Sequence, residues 1–218
     1  RRPNPDAEWV AEGQGGAAVC NGRLQVSPLA FASCGRPVDR DGEEPSHMVV
    51  WNTNRFPADL LFEFTVNHHG SSDGLTLVFF AAEGLQGQDI FDPGLPPRDG
   101  VYRNYNRGEL RNYTVSYWSR NQKPSLVKRG ERYTNRMRRN PGANKLSTEY
   151  SRTDLYSDCD YRVRILKQGG SIAVEINGEV VNQVVDPDPL GSGFIGLRNM
   201  MGVDRVSYDD FEVFSVNK

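Results

Sequence analysis

The sequence predicts an all-β chain folded as a two-sheet antiparallel jelly-roll sandwich, from three observations. Apolar and polar residues alternate with period two through most of the chain, as half-buried strands require. The alternating runs are short, rich in β-branched and aromatic residues, and bounded by Gly, Pro, Asn and Asp. Helical periodicity is nearly absent, and many short strands without intervening helices pack as two sheets face to face.

The strands follow in order. His47 to Asn52 is a short apolar strand. Leu60 to Asn67 alternates cleanly, with Leu60, Phe62, Phe64 and Val66 opposite Leu61, Glu63, Thr65 and Asn67. Leu75 to Ala82 is apolar on both faces, the mark of a central strand covered above and below. Tyr113 to Ser119 and Arg136 to Asn140 come next. Tyr161 to Lys167 alternates, Gly169-Gly170 turns the chain, and Ser171 to Ile176 returns. Asn177-Gly178 is a strong hairpin signal, because both residues tolerate the positive φ of a type I′ turn. Glu179 to Val185, Phe194 to Arg198 and Phe211 to Val216 complete the set. Two long stretches, Glu83 to Arg111 and Asn121 to Asn135, carry no strand pattern; connections of that length in a compact domain are usually functional. The first holds Asp89, Phe91, Arg98, Tyr102 and Tyr105, and its aromatics are expected to lie ordered across a sheet edge.

At 218 residues the chain is long enough for one good core, and a single domain over 1–218 is expected. The 26 Lys and Arg stand against 28 Asp and Glu, a formal net charge of -2, which argues against nonspecific nucleic-acid binding. A local basic run remains at Lys128, Arg129, Arg132, Arg136, Arg138 and Arg139, opposed only by Glu131. No apolar run reaches the roughly 18 residues of a helical membrane span. The chain starts at Arg1, in keeping with a secreted or periplasmic protein whose targeting peptide has been removed. Cys20, Cys34 and Cys159 form neither a CxxC pair nor a His/Cys cluster, so zinc is not expected. They are read either as a Cys20–Cys34 bridge with one free thiol or as three reduced thiols.

If Tyr113 to Trp118 and Arg136 to Asn140 are neighbouring strands, one sheet face carries hydroxyl, aromatic and guanidinium groups together. Guanidinium groups bind carboxylates bidentately and aromatic faces stack on flat ligands, so that face suits an acidic sugar. Alternation sends Tyr113, Val115 and Tyr117 to the core and Thr114, Ser116 and Trp118 to the groove face. The same rule places Arg136, Arg138 and Asn140 opposite Met137 and Arg139, and Glu63 opposite Phe62 and Phe64. Trp51 and His68 fall at or near strand ends.

Several blocks carry a family resemblance: Gly74 to Ala82, Gly87 to Asp92, Arg98 to Tyr102 with Tyr105 and Gly108, Tyr113 to Tyr117, Arg138 to Gly142, Gly193 to Met200, and Tyr208 to Phe211. From about Trp51 onward the chain resembles the YesU-like family. That resemblance implies a concanavalin A-like jelly roll of bacterial origin, associated with polysaccharide utilisation and without a defined reaction. The family pattern has His where this chain has Thr114, so a proton-transfer role there is lost or relocated. Related sandwiches often hold a structural calcium near the last strand, which by resemblance makes Asp209 a calcium ligand; a carboxylate suits that hard ion. No other cofactor is required.

Three readings of the face remain open. A polysaccharide lyase acting on uronates needs a cation for the carboxylate, a base for the C5 proton and an acid for the leaving oxygen. Arg138, Arg136 and Asn140 would supply the first and Tyr113, Tyr117, His68 or His69 the others, with Trp51, Arg98, Tyr105, Ser116, Trp118, Arg136 and Asn140 binding substrate. A Tyr base titrating near ~10 would need an adjacent Arg to lower its pKa. A noncatalytic carbohydrate-binding module needs the aromatic and Arg residues but no base. A retaining glycoside hydrolase needs two carboxylates about 5–5.5 Å apart; Glu63 with a loop carboxylate such as Glu83, Asp89 or Glu109 would serve.

Overall fold

A computed structural model describes residues 2–3, 8–28, 47–70, 75–120, 124–152, 155–200 and 203–216. In chain order the strands are β1 (Arg2–Pro3), β2 (Trp9–Glu12), β3 (Gly16–Cys20), β4 (Arg23–Ser27), β5 (Met48–Asn52), β6 (Leu60–His69) and β7 (Leu75–Gly84). They continue with β8 (Leu110–Ser119), β9 (Tyr133–Asn140), β10 (Asn144–Ser151), β11 (Asp160–Gln168), β12 (Ser171–Ile176), β13 (Glu179–Val185), β14 (Phe194–Asn199) and β15 (Arg205–Ser215). Two short helices, α1 (Arg103–Asn106) and α2 (Pro124–Lys128), lie in the long connections. The front sheet has eight strands in the order β1-β2-β5-β14-β7-β8-β9-β10, and the back sheet seven in the order β13-β12-β11-β6-β15-β4-β3. Every strand pairing among the described residues is antiparallel. This is the jelly-roll sandwich that the alternation predicts.

The inner faces meet as alternation demands. Phe62, Phe64 and Val66 of β6 and Val163 and Ile165 of β11 face Val78 and Phe80 of β7 and Tyr113, Val115 and Tyr117 of β8 in one buried cluster. Phe62 meets Phe80 at 5.8 Å between ring centroids, and Phe64 meets Tyr117 at 5.9 Å. Each fully buried aromatic of this kind contributes about 1.5–3 kcal/mol through water exclusion. β7 is apolar on its other side as well because a second buried cluster lies there, outside the sandwich. Val49, Trp51, Leu77, Phe79 and Phe194 of the front sheet are capped by Ile90 and Tyr105 from the connection between β7 and β8.

Five strands go beyond the sequence expectation, the two-residue β1 among them. β2, β3 and β4 are short, and β3 (GAAVC) lacks branched residues until its end. β10 is the front sheet's edge strand, half-exposed to exposed over most of its length, so one-sided burial imposes little alternation on it. Cys20 is disulfide-bonded, Cys159 is a free exposed thiol, and Cys34 lies outside the described residues.

His68 closes one end of the core. Its ring stacks on Trp118 at 3.7 Å with 13° between planes, and Nε2 shares a hydrogen bond with the Thr76 hydroxyl at 3.0 Å. Burial pushes its pKa down to about 3 from 6.5, helped by neighbouring His69, so the folded state holds it neutral. The unfolded chain takes up this proton below about 6.5 and the folded chain does not until about 3. Stability is therefore intact above pH 6.5 and falls as the pH drops toward 3, by a few kcal/mol in all from this group, about 1.4 kcal/mol per unit. Urea denaturation of wild type and His68→Phe at pH 7, 6, 5 and 4 should show the shallower decline in the variant; parallel declines would refute the assignment.

Candidate functional site

β8 and β9 pair directly, with Thr114 opposite Arg138 and Ser116 opposite Arg136. The predicted juxtaposition of the hydroxyl strand and the basic strand is therefore present on the outer face of the front sheet. Register extends it into two rows across the sheet. One runs Trp51, Gly196, Phe79, Thr114, Arg138, Lys145. The other runs Glu12, Val49, Arg198, Leu77, Ser116, Arg136, Thr148.

The two halves of this face differ. Over β5, β14 and β7 lies the connection 85–109, fixed by one buried carboxylate. Glu12 Oε2 accepts from Trp51 Nε1 at 3.0 Å, Tyr105 Oη at 2.8 Å and Arg98 Nε at 3.1 Å. Glu12 Oε1 accepts from Arg98 Nη2 at 2.6 Å, and the same nitrogen reaches the Ile90 carbonyl at 2.8 Å. Tyr105 Oη in turn accepts from Gly100 N at 3.0 Å. Trp51, Arg98 and Tyr105, all expected to bind substrate, are brought together, but as the inside of this clamp. Trp51 and Tyr105 are fully buried, the Arg98 side chain is 4% exposed, and their polar groups are spent on Glu12. Burial and the Glu12 carboxylate push the Tyr105 phenol far up. Gly196 makes room for the clamp: a Cβ there would sit 2.6 Å from the Trp51 ring.

Over β8, β9 and β10 the face stays open, bordered by Tyr102. Arg136 and Lys145 are exposed and Arg138 and Thr148 half-buried. Ser116 accepts a hydrogen bond from Arg136 N at 3.0 Å. Arg138 Nη1 donates to the Ala143 carbonyl at 3.2 Å. Asn140 is buried beneath this surface, donating to Asn112 Oδ1 at 2.8 Å and Thr114 Oγ1 at 2.5 Å, and the Tyr102 hydroxyl lies 3.4 Å from Thr114 Oγ1. Among the described residues Arg136, Arg138 and Lys145 make no ion pair.

The expected proton-transfer groups lie elsewhere. Tyr113 faces the core as alternation requires, donating to Asp186 Oδ2 at 2.6 Å and accepting from Leu190 N at 2.9 Å. Burial and Asp186 raise its pKa far above the ordinary phenol range. Tyr117 is buried between the sheets, and burial pushes it up to about 12. Neither phenol reaches the open face, and neither has the lowered pKa that a base needs. Trp118 corrects the alternation rule: Leu77 pairs with Ser116 but Thr76 pairs with Trp118, so β8 carries a bulge. The extra residue turns Trp118 inward, onto His68, Tyr133 and Tyr161. His68 is thereby sealed under Trp118 rather than set at a groove.

Glu63 stands on the outer face of the back sheet, the far side of the sandwich. Its Oε1 accepts from Arg162 at 2.5 Å and its Oε2 from Arg164 at 3.0 Å, and the Arg162 guanidinium holds its carboxyl below the usual range. It has no access to the front face, so the hydrolase pairing fails on geometry. Asp209 shares that back face and pairs with Arg23 at 3.3 Å. Its neighbour Asp210 accepts from Thr65 Oγ1 at 3.0 Å and lies 4.0 Å from Arg162. A guanidinium where a divalent ion would sit does not fit a calcium site, and among the described residues no group of three His, Cys, Asp or Glu is placed to hold a metal.

Sequence reasoning passed over Lys145 and Thr148, because the edge strand carrying them has weak alternation. It passed over Glu12, which lies in an unrecognised strand. Arg198 was visible as the one charge in an apolar strand, at the parity of Gly196, and that parity sends it to the outer face.

Glu12→Gln keeps the shape of the clamp but leaves Arg98 buried without its counter-charge. The expected cost is about 3–5 kcal/mol, read by urea denaturation, with faster hydrogen exchange in the 85–109 segment; unchanged stability would remove the clamp's role.

The fold recurs in proteins of known structure. A protein of unknown function with galectin-like fold from Bacillus subtilis matches with a TM-score of 0.78 and 28% identity, over 95% of this chain and 89% of that one. The lumenal domain of VIP36, in a Ca2+/Man3GlcNAc-bound form, matches with a TM-score of 0.62 and 13% identity over 99% and 88%. A carbohydrate binding module, CBM66 from Bacillus subtilis, matches with a TM-score of 0.56 and 10% identity over 95% and 96%. Among sequences, the uncharacterized protein YesU of Bacillus subtilis (strain 168) is 29% identical over 213 residues, spanning 94% of this chain and 88% of that protein. The model of the domain of unknown function DUF1961 matches residues 2–213, and the chain belongs to that family.

Proposed function

We propose that the chain is a noncatalytic carbohydrate-binding domain that takes an acidic oligosaccharide on the open half of the front face. The observation that carries this reading is a segregation of charge. On the back face the cations are matched: Arg23 with Asp160 and Asp209, Arg162 with Glu63 and Glu212, Arg164 with Glu63 and Glu175. On the open front face Arg136, Arg138 and Lys145 project from adjacent strands with no acidic partner among the described residues. A chain of formal net charge -2 that sets three unmatched cations side by side on one face is suited to an anionic ligand. Ser116, Thr148 and the Tyr102 ring add hydroxyl and stacking groups of the kind that sugars use. Fold likeness to a carbohydrate binding module and to the VIP36 lumenal domain in its Ca2+/Man3GlcNAc-bound form supports the ligand class. The bonded Cys20 supports a secreted or periplasmic setting, since disulfides persist in oxidising compartments.

A lyase has less support. Its candidate acids and bases, Tyr113, Tyr117 and His68, are buried away from the open face, and the registered rows across β8, β9 and β10 hold neither His nor carboxylate.

Titration calorimetry against neutral and uronate-containing oligosaccharides tests the reading, with unsaturated-end absorbance and reducing sugar followed in parallel. Binding of uronate oligomers without product is expected, weakening with salt. Arg138→Ala and Arg136→Ala should each lower affinity about 10-fold, roughly the 1.4 kcal/mol of a charge-assisted hydrogen bond. Product formation, or binding indifferent to both substitutions, would overturn it.

A further inference from the structure

Arg198 is 2% exposed, in the row between Val49 and Leu77. Its Nε donates to the Gly100 carbonyl at 3.2 Å, and its Cζ lies 5.3 Å from the centroid of the Tyr102 ring. Its terminal nitrogens meet no hydrogen-bond acceptor among the described residues, and no carboxylate pairs with it. The other buried cations are provided for: Arg98 holds Glu12 through two bonds, and Lys167 donates to the Ala58 carbonyl at 2.8 Å with Asp59 at 3.9 Å.

A buried charge without a counter-charge is expensive, and replacing it with an apolar side chain is commonly neutral or stabilising. The site's apolar neighbours would accept such a replacement. Lys can shed its proton to escape the cost, whereas Arg cannot at neutral pH; burial lowers Arg198 only to about 10. The fold therefore carries a cation whose terminal nitrogens find no acceptor among the described residues, on the same face as the three unmatched cations.

We propose that Arg198 is a carboxylate-binding subsite of that face, with Tyr102 as its wall, reading one uronate of the bound oligosaccharide. The inference rests on the carbohydrate-binding reading and extends it to ligand length. Two unmatched terminal nitrogens form the planar fork that matches the two oxygens of a carboxylate. Arg198 and Arg136 are three strands apart in one row, roughly 14 Å at about 4.8 Å per strand, so a ligand that meets both is an oligomer and not a single sugar.

Two measurements separate this subsite from the reading beneath it. In the first, the Arg198 Nε–Hε NMR signal of the wild-type chain is followed during titration with sodium glucuronate, glucose or inorganic phosphate. A saturable shift with glucuronate alone is expected; no shift with glucuronate, or an equal shift with phosphate, overturns the carboxylate assignment. In the second, a uronate oligosaccharide and its neutral counterpart are titrated into wild type, Arg198→Met and Arg198→Lys. Arg198→Met should melt at or above the wild-type temperature and lose roughly 10- to 100-fold in uronate affinity, with neutral affinity unchanged within about two-fold. Arg198→Lys, which keeps the charge without the fork, should fall between. Wild type that binds neither sugar sinks the carbohydrate reading and the subsite with it. Wild type that binds uronate no better or worse than Arg198→Met sinks the subsite alone, and equal loss of both sugars assigns Arg198 to structure. If Arg198→Met does not fold, the titration of wild type decides.

Discussion

The arrangement of the front face depends on the Glu12 carboxylate. It gathers an indole N–H, a phenol O–H and a guanidinium into one dry cluster, tying the β7–β8 connection to the end of the short strand β2. Without that tie the apolar residues Val49, Trp51, Leu77 and Phe79 would face water on the outer side of a sheet whose inner side is already buried. With it, half the sheet becomes the floor of a second small core and the other half remains a surface. The asymmetric third layer thus leaves the β8, β9 and β10 half of this sheet open among the described residues.

Charge follows the same division. Back-sheet carboxylates and guanidinium groups interlock across β4, β6, β11, β12 and β15. Such exposed pairs add little stability, with a typical worth of about 0–1 kcal/mol, but they neutralise that face toward solvent. The open half of the front face keeps Arg136, Arg138 and Lys145 without an acidic partner among the described residues. Overall charge near neutrality thus hides a polar molecule, and recognition depends on the local field rather than on the sum.

Alternation made much of this legible. The inward residues of β6, β8 and β11 and the β8–β9 juxtaposition all follow from period-two patterning. Glu63 shows the limit: alternation tells which side of its own strand a residue occupies, not which of two sheets the strand joins. The outer faces of the two sheets therefore look alike in sequence. Trp118 shows a second limit, since one bulge reverses the parity of everything beyond it and leaves no local mark in Tyr117-Trp118-Ser119. Arg98, Trp51 and Tyr105 show a third. Aromatic and Arg residues look the same whether they meet a ligand or a buried carboxylate, and the carboxylate here is distant in sequence.

Thr114 joins these strands of reasoning. It stands in the row between Phe79 and Arg138, where the clamped half gives way to the open half, and its hydroxyl is engaged by Asn140 and neighbours Tyr102. The family resemblance has His at this position, a group that can hold or release a proton at neutral pH. A Thr hydroxyl at this point orders its neighbours through hydrogen bonds and does not titrate. With Tyr113 and Tyr117 in the core and the buried His68 held neutral, the open half of the face carries Arg136, Arg138 and Lys145 together with hydroxyls, that of Tyr102 among them. In the binding reading proposed above, groups of that kind meet an anionic ligand by shape and field.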